Sequence, residues 1–275
     1  MRSRSTKRPV VQDFRTLQEV AAVKQNRVTR DDVIRILVVN LEPLSYVHAM
    51  YEGGAIAFNR IDQWSDIDLY LVVDDNMVEK VFGEVEKALN QLSPIKQKFE
   101  VKQLPWPGVA QAFYRLEDTS EYLLIDLAVI KLSGTEKFLE PEIHGKAVFH
   151  FNKADVVKVP KLNRDLLNKT LNERLERLKE RFNIFNVFVQ KEINRGNCIE
   201  AFGLYHSLTL GSVVDALRIK YSPFHHDFKT RYLRYELPKE IVDKLDRLYF
   251  VKDGRDLQEK YLEASQWFRE LVTQS

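Results

Sequence analysis

One stretch of this chain constrains its fold more than any other. A glycine pair, Gly53-Gly54, is followed after eleven residues by Asp66-Ile67-Asp68, and these aspartates open the apolar run Leu69 to Val73. Such a run is typical of a buried strand. Because side chains alternate along a strand, Asp66 and Asp68 project from one face while the apolar residues around them turn to the core. Two carboxylates held close together repel each other unless a cation lies between them, so the pattern predicts a divalent metal site beside a glycine turn.

A third carboxylate, Asp126, lies in a second apolar segment. The sequence predicts a hairpin with arms over 111–116 and 122–130. Asp126 is the lone charge of the second arm, and burial of an unpaired carboxylate is costly or shifts its pKa strongly. It therefore needs a partner. A metal shared with the two earlier aspartates is one solution, and an ion pair with Arg115 or Lys131 is the other.

The N-terminal half mixes strand patterns with helical ones. Thr29 followed by Asp31 and Asp32 is typical of a helix start, and it precedes the apolar segment 33–37. Apolar residues recur at helical spacing over 78–92. Strands are expected over 47–52, 96–103 and 148–151, with a short helix or loop over 55–62.

The C-terminal half carries helical patterns alone. Apolar residues step by three or four from Leu167 to Ile193, which predicts one long amphipathic helix. Strands first and helices afterwards favour an α+β fold in which an N-terminal mixed sheet with flanking helices is followed by a helical bundle. Further helices are expected over 198–220, 238–250 and 253–272. The expected domain bounds are an N-terminal extension over 1–28, an α+β domain over 29–155 and a helical bundle over 156–275.

Composition limits the classes of protein to consider. The chain of 275 residues has 42 basic and 40 acidic side chains, and a net charge of +2 does not resemble a dedicated nucleic-acid binder. Cys198 is the single cysteine, which excludes an intrachain disulfide. No apolar run approaches the length of a membrane span, and the first residues lack the apolar segment of a secretion signal. We therefore expect a soluble, cytoplasmic protein without a membrane association.

The residues Gly53-Gly54, Asp66-Ile67-Asp68 and Asp126 together resemble the signature of the nucleotidyltransferase superfamily related to DNA polymerase β. In that signature a glycine turn precedes Asp, an apolar residue and a second acidic residue, and a neighbouring strand supplies a third carboxylate. Residues 64–69 are especially similar to the branch that contains aminoglycoside and lincosamide nucleotidyltransferases. Tyr51-Glu52 departs from the apolar lead-in that is usual before the glycines.

The resemblance implies a chemistry. Asp66, Asp68 and Asp126 would be the catalytic residues and the ligands of two Mg²⁺ ions. The donor substrate would be ATP or another nucleoside triphosphate, and the acceptor a hydroxyl of a small molecule rather than a nucleic acid, with release of pyrophosphate. Asp126 would assist the deprotonation of that hydroxyl.

The same resemblance implies nucleotide contacts at Gly53, Gly54, Ser65 and Arg60. Backbone N–H groups at the glycines can approach phosphates closely because no Cβ intervenes. Many relatives carry Ser in place of Gly54 and Arg directly after it, whereas an alanine follows Gly54 here. Arg60 either replaces that arginine or pairs with Asp62, and Ser65 either meets a phosphate or is a plain residue at the strand entry.

Other classes of function stay open. A regulatory or antitoxin-like nucleotide-binding module acting with a protein partner is one alternative, although three intact carboxylates favour an enzyme. Nucleotidyl transfer to RNA 3′ ends is another, which the balanced charge disfavours. Aromatic side chains in the helical half are candidates for the interface of a homo-oligomer.

Overall fold

A computed structural model describes residues 28–273 of the chain. The chain divides into two compact units, with the division between Pro160 and Lys161. The first unit is a mixed sheet with helices and the second is helical, which confirms the expected α+β class. The N-terminal extension expected over 1–28 lies outside the described residues except for its last residue. The expected domain bounds of 29–155 and 156–275 stay a prediction.

Six strands of the first unit form one sheet. They are β1 Val47–Glu52, β2 Ile67–Val73, β3 Ile95–Glu100, β4 Val109–Leu116, β5 Ile125–Lys131 and β6 Val148–Asn152. Their order in the sheet is β3-β4-β5-β2-β1-β6, so β5 and β2 occupy its centre. This central pair runs parallel, whereas every other neighbouring pair is antiparallel.

Two helices cover one face of this sheet. They are α1 (Arg30–Leu41) and α3 (Val78–Leu92), and both contribute to a buried core that includes Leu69, Leu71 and Leu127. Burial of such apolar side chains is the main stabilising contribution to a unit of this size. Two short helices complete the unit, α2 (Gly54–Ala57) and α4 (Pro141–His144).

The opposite face carries an aromatic cluster. Tyr70 of β2 stacks on Tyr51 of β1 with ring centroids 5.2 Å apart, and the ring of Phe149 in β6 lies 4.9 Å from that of Tyr51. Phe138 lies 5.6 Å from Tyr70. Since Asp68 precedes Tyr70 by two residues in the same strand, its side chain projects from this face.

Local patterns predicted most elements of the first unit. Thr29 begins α1 as expected: its side chain accepts a hydrogen bond from the Asp32 N–H, and the Asp32 carboxylate accepts one from the Thr29 N–H at 3.0 Å. The exposed strand expected over 96–103 is wrong in its last residues, because β3 ends at Glu100. The second hairpin arm begins at residue 125 instead of 122, because a turn closed by a 3.0 Å bond from Leu123 N–H to the Ser120 carbonyl precedes it.

Helices make up the second unit. A π-helical segment, Tyr205–Leu210, joins α7 (Cys198–Leu204) to α8 (Gly211–Tyr221), so the predicted helix over 198–220 is helical throughout but wider in its middle. None of the helices within residues 28–273 combines the length and the apolar composition needed to cross a membrane. The bounds are α5 Arg164–Phe185, α6 Val187–Arg195, α7 Cys198–Leu204, α8 Gly211–Tyr221, α9 Leu233–Glu236, α10 Lys239–Tyr249 and α11 Gly254–Thr273.

The single helix predicted from Leu167 to Ile193 is wrong, because the chain turns at Asn186 between α5 and α6. Asn186 is buried, and its amide donates to Ser265 Oγ at 3.0 Å while its Oδ1 accepts a 2.6 Å bond from the Thr209 hydroxyl. The Tyr261 hydroxyl donates to the Asn186 carbonyl oxygen at 3.3 Å. That carbonyl also accepts from the Val189 N–H at 3.3 Å, three residues on, in place of the bond from the fourth residue on that an uninterrupted helix makes. Side chains from other helices thus compensate the break.

Replacing Asn186 with alanine is expected to destabilise the second unit by about 1–3 kcal/mol, because it leaves buried partners without hydrogen bonds. Urea unfolding followed by circular dichroism measures the effect. Asn172→Ala, an exposed position on α5, is the matched control. Equal stability of the two variants would contradict the role given to Asn186.

Candidate active site

The pairing of β2 with β5 brings two of the predicted carboxylates side by side. Asp68 and Asp126 are direct partners in the register of this parallel pair. Neighbouring strands lie about 4.8 Å apart, and registered partners project from the same face. Asp66 directly precedes β2, two residues before Asp68. All three predicted metal ligands therefore lie at the starting ends of the two central strands.

Burial and repulsion act together on Asp126. Its pKa is raised to about 6, first by burial and then by the charges of Asp68 and Asp66. Gln111 in β4 opposes this shift, since its amide donates a 2.6 Å hydrogen bond to Asp126 Oδ1. The observed partner of Asp126 is thus a neutral amide. Lys131, one of the two basic partners considered from the sequence, is five residues further along β5 and alternates to the other face.

Hydrogen bonds and nearby positive charges both act on Asp66. Burial raises the pKa of Asp66, while a hydrogen bond from the Leu124 backbone and the charges of Arg115 and Arg30 lower it. Arg30 in α1 also donates from Nη1 to the Asp66 carbonyl oxygen at 2.7 Å. The basic residue Arg115 therefore acts on Asp66, and α1 fixes the backbone at the entry to β2.

A buried ion pair beside the glycine turn was not predicted. Glu52, the last residue of β1, is 2% exposed, and its Oε2 pairs with Nη2 of Arg30. His150 Nε2 lies 2.8 Å from the other oxygen, Oε1. The sequence showed Glu52 only as a departure from an apolar lead-in. A charge at the end of a buried strand was the available sign that a partner existed, but nothing local identified Arg30.

The position of Gly54 explains why a glycine stands there. Its φ is +60°, in the left-handed region that favours glycine, and a Cβ built on it would lie 1.8 Å from Asp68 Oδ2. The Gly53 N–H donates to the Asp68 carbonyl oxygen at 3.0 Å, and a Cβ at Gly53 would lie 2.8 Å from Tyr70 Cε2. Both glycines therefore let the turn approach β2 and the Asp68 carboxylate closely.

The two other predicted nucleotide contacts lie in the loop between α2 and β2. The Ser65 hydroxyl donates to Asp62 Oδ1 at 2.8 Å and accepts from the Asp62 N–H at 2.9 Å. The guanidinium of Arg60 lies 5.1 Å from the centre of the Phe58 ring. Ser65 thus stabilises the loop ahead of Asp66, and the phosphate contacts expected for Ser65 and Arg60 stay predictions.

The donor set fits a hard divalent cation. Carboxylate oxygens are the protein ligands that Mg²⁺ prefers. The charges of Asp66 and Asp68 raise the pKa of Asp126, as expected for acidic groups that converge. The Gly54 backbone, which carries no side chain, comes against the Asp68 carboxylate. The arrangement can therefore hold a metal beside the glycine turn.

A separate cluster lies further along the first unit. Glu136, Glu140 and His144 have potential ligand atoms within 4.8 Å of one another. His144 Nε2 lies 3.7 Å from a carboxylate oxygen of Glu140. No sequence pattern indicated this cluster, and we assign no function to it.

No family model matches this chain, and no curated protein matches it. Among solved structures, an aminoglycoside 6-adenyltransferase from Bacillus subtilis is similar over 90% of this chain and 89% of its own length. The sequence identity is 11% and the TM-score is 0.34. So small a TM-score carries no argument about function, and the function proposed below depends on the residues of the site.

Gly54→Ala is expected to lower the free energy of unfolding by about 1–2 kcal/mol, because the new Cβ meets the Asp68 carboxylate in a left-handed backbone conformation. Thermal and urea unfolding measure it. Gly83→Ala is the matched control: nothing lies within 4 Å of a Cβ there, and Gly83 belongs to helix α3, where alanine is favoured. Equal stability of the two variants would contradict the close approach of the Gly54 backbone to the Asp68 carboxylate.

Asp126→Asn is expected to stabilise the metal-free protein near pH 7 and to change little near pH 4. The folded-state pKa is raised from 3.8 to about 6, so the stability contributed by Asp126 falls as the pH rises through that interval. The expected gain near pH 7 is at most about 3 kcal/mol, since the shift is about two pKa units and each unit corresponds to about 1.4 kcal/mol. Urea unfolding in EDTA at both pH values tests it. A variant destabilised at neutral pH would contradict the cost that burial and the neighbouring charges place on the Asp126 carboxylate.

Proposed function

We propose that this protein is a nucleotidyltransferase. It transfers a nucleoside monophosphate from ATP or another nucleoside triphosphate to a hydroxyl of a small acceptor and releases pyrophosphate. The observation that carries the proposal is the register of β2 and β5, which sets Asp68 beside Asp126 where the Gly54 backbone meets the Asp68 carboxylate. This combination is the one by which the sequence resembles the nucleotidyltransferase superfamily.

Three aspartates would hold the metal ions of the reaction. Two Mg²⁺ ions held by Asp66, Asp68 and Asp126 would polarise the acceptor hydroxyl and offset the negative charge of the leaving pyrophosphate. The surrounding residues keep these oxygens in place. Arg30 fixes the Asp66 backbone, and Gln111 orients the Asp126 carboxylate.

Asp126 is the proposed proton acceptor. Gln111 donates to its Oδ1, so we assign the proton transfer to Oδ2. The acceptor oxygen forms a bond to the α-phosphorus, the bond from that phosphorus to the bridging oxygen of pyrophosphate breaks, and the hydroxyl proton passes to Asp126.

Backbone groups and one cation are the proposed nucleotide contacts. The N–H groups around Gly53 and Gly54 would meet the triphosphate, where no Cβ blocks the approach. Arg60 supplies a positive charge in the following loop, and Ser65 holds that loop by its bonds to Asp62. A small acceptor fits the near-neutral chain, and a cytoplasmic location belongs to the same proposal.

The test is nucleotidyl transfer by the full chain. Nucleoside triphosphates labelled at the α-phosphate are incubated with Mg²⁺ and a cell extract, and both pyrophosphate and labelled acceptor are measured. We expect Asp68→Asn and Asp126→Asn to lower the rate at least about 100-fold, because each removes a metal ligand.

Glu79→Gln is the control for that test. Glu79 is exposed on α3, which packs on the face of the sheet opposite to Asp68, and its loss changes the net charge equally. It should keep wild-type rates. The proposal is wrong if no triphosphate in the panel yields pyrophosphate, or if the aspartate variants keep the wild-type rate.

A further inference from the structure

A cavity in the second unit is lined by basic side chains of α5. Its volume is about 300 Å³, and its lining includes Arg174, Arg177 and Arg181 together with Thr170 and His226. Spacings of three and four residues place the arginines on one face of the helix. Cationic groups and a hydroxyl therefore converge on one small space.

Two buried nitrogens in this lining lack a hydrogen-bond partner within the part of the chain that the structure describes. They are Nε of Arg174 and Nδ1 of His226. A buried polar group without a partner is costly, and such groups are uncommon in folded proteins. Both residues line the same cavity, but the two nitrogens themselves are enclosed by protein atoms. The groups of the lining that an anion can reach are therefore the exposed guanidinium groups of Arg177 and Arg181.

Three arginines and two carboxylates line the cavity, so its lining carries a net positive charge. Asp215 Oδ2 lies 3.1 Å from Nη2 of Arg174, and Glu173 lies 3.9 Å from Lys169. The exposed Arg177 and Arg181 form no ion pair among residues 28–273, so two guanidinium groups are available to an anion.

His226 completes the lining with a neutral ring. Its pKa is lowered mainly by burial and further by the charge of Arg174, while Asp227 and Asp215 oppose the shift. Because His226 lines the cavity, the resonances of its ring report on an anion that binds beside it.

We propose that this cavity binds a phosphate group, free or carried on a small organic molecule. Guanidinium groups match phosphate oxygens with two parallel hydrogen bonds, which is the geometry that arginine offers and lysine does not. The volume lies at the lower end of the range of about 300–1,000 Å³ for ligand sites, which fits a phosphate monoester. Every residue involved lies in the second unit, so this proposal does not depend on nucleotidyl transfer.

The test is an NMR titration of the full chain with isotope-labelled histidine. Inorganic phosphate and then glucose 6-phosphate are added at constant ionic strength, and the His226 resonance is assigned with His226→Gln. We expect a saturable shift of this resonance. The double variant Arg177→Gln/Arg181→Gln should weaken the affinity at least about tenfold, and both positions are exposed, so the fold should be retained.

A matched control removes the same charge elsewhere in the second unit. Lys239→Gln/Arg255→Gln changes two cations that are 80% and 90% exposed and do not line the cavity, and it should keep the affinity within about twofold. Equal weakening by both double variants, or the absence of a saturable shift, would overturn the proposal.

Further arms of the titration separate the sources of the signal. Tighter binding of glucose 6-phosphate than of inorganic phosphate supports a phosphorylated small molecule, and equal binding supports free phosphate. Tighter binding of a short single-stranded RNA than of either would overturn the proposal in favour of a nucleic-acid surface. Asp68→Asn should leave the phosphate affinity unchanged, and a loss in that variant would locate the signal at the first unit and overturn it as well.

Discussion

The burial of like-charged carboxylates at the start of β2 and β5 is the constraint on which the candidate site of the first unit depends. The parallel register fixes Asp68 beside Asp126, and burial together with the neighbouring charges raises the pKa of Asp126 to about 6. Folding alone gives no reason to place like charges there, since a small neutral residue would keep both strands and remove the cost. Groups whose pKa values are shifted by burial and by like charges are typical of functional sites.

Residues from different elements keep the carboxylates in place. Gln111 in β4 binds Asp126, Arg30 in α1 binds the backbone of Asp66, and Gly54 after β1 leaves space for the Asp68 carboxylate. The apolar core on the other face holds the strands that carry them. Because strands and a helix supply the supporting contacts, the site is fixed before any ligand arrives. The second unit presents a different chemistry, a cavity lined by arginines.

Local sequence patterns predicted the strands and the three aspartates because alternation and a lone charge in an apolar run are properties of neighbouring residues. The pairing of β2 with β5 depends on contacts between distant segments. The lone charge of Asp126 predicted only that it needs a partner, and the resemblance to a known family favoured the two earlier aspartates over a basic residue. The break at Asn186 depends on Tyr261, which is 75 residues away in sequence. Arg30 and Glu52 are 22 residues apart, and no local pattern around either residue identifies the other as its partner. Long-range polar pairs were therefore the part that sequence reasoning missed.

The most direct test of the proposed metal site is to locate a bound divalent metal in a crystal. Crystals grown with Mn²⁺ and an ATP analogue whose α–β bridging oxygen is replaced by a methylene group would give anomalous scattering from manganese alone. The account predicts manganese at about 2.2 Å from carboxylate oxygens of both Asp68 and Asp126. Manganese bound only elsewhere, for instance at Glu136 and His144, or an analogue bound without metal at the two aspartates, would contradict it.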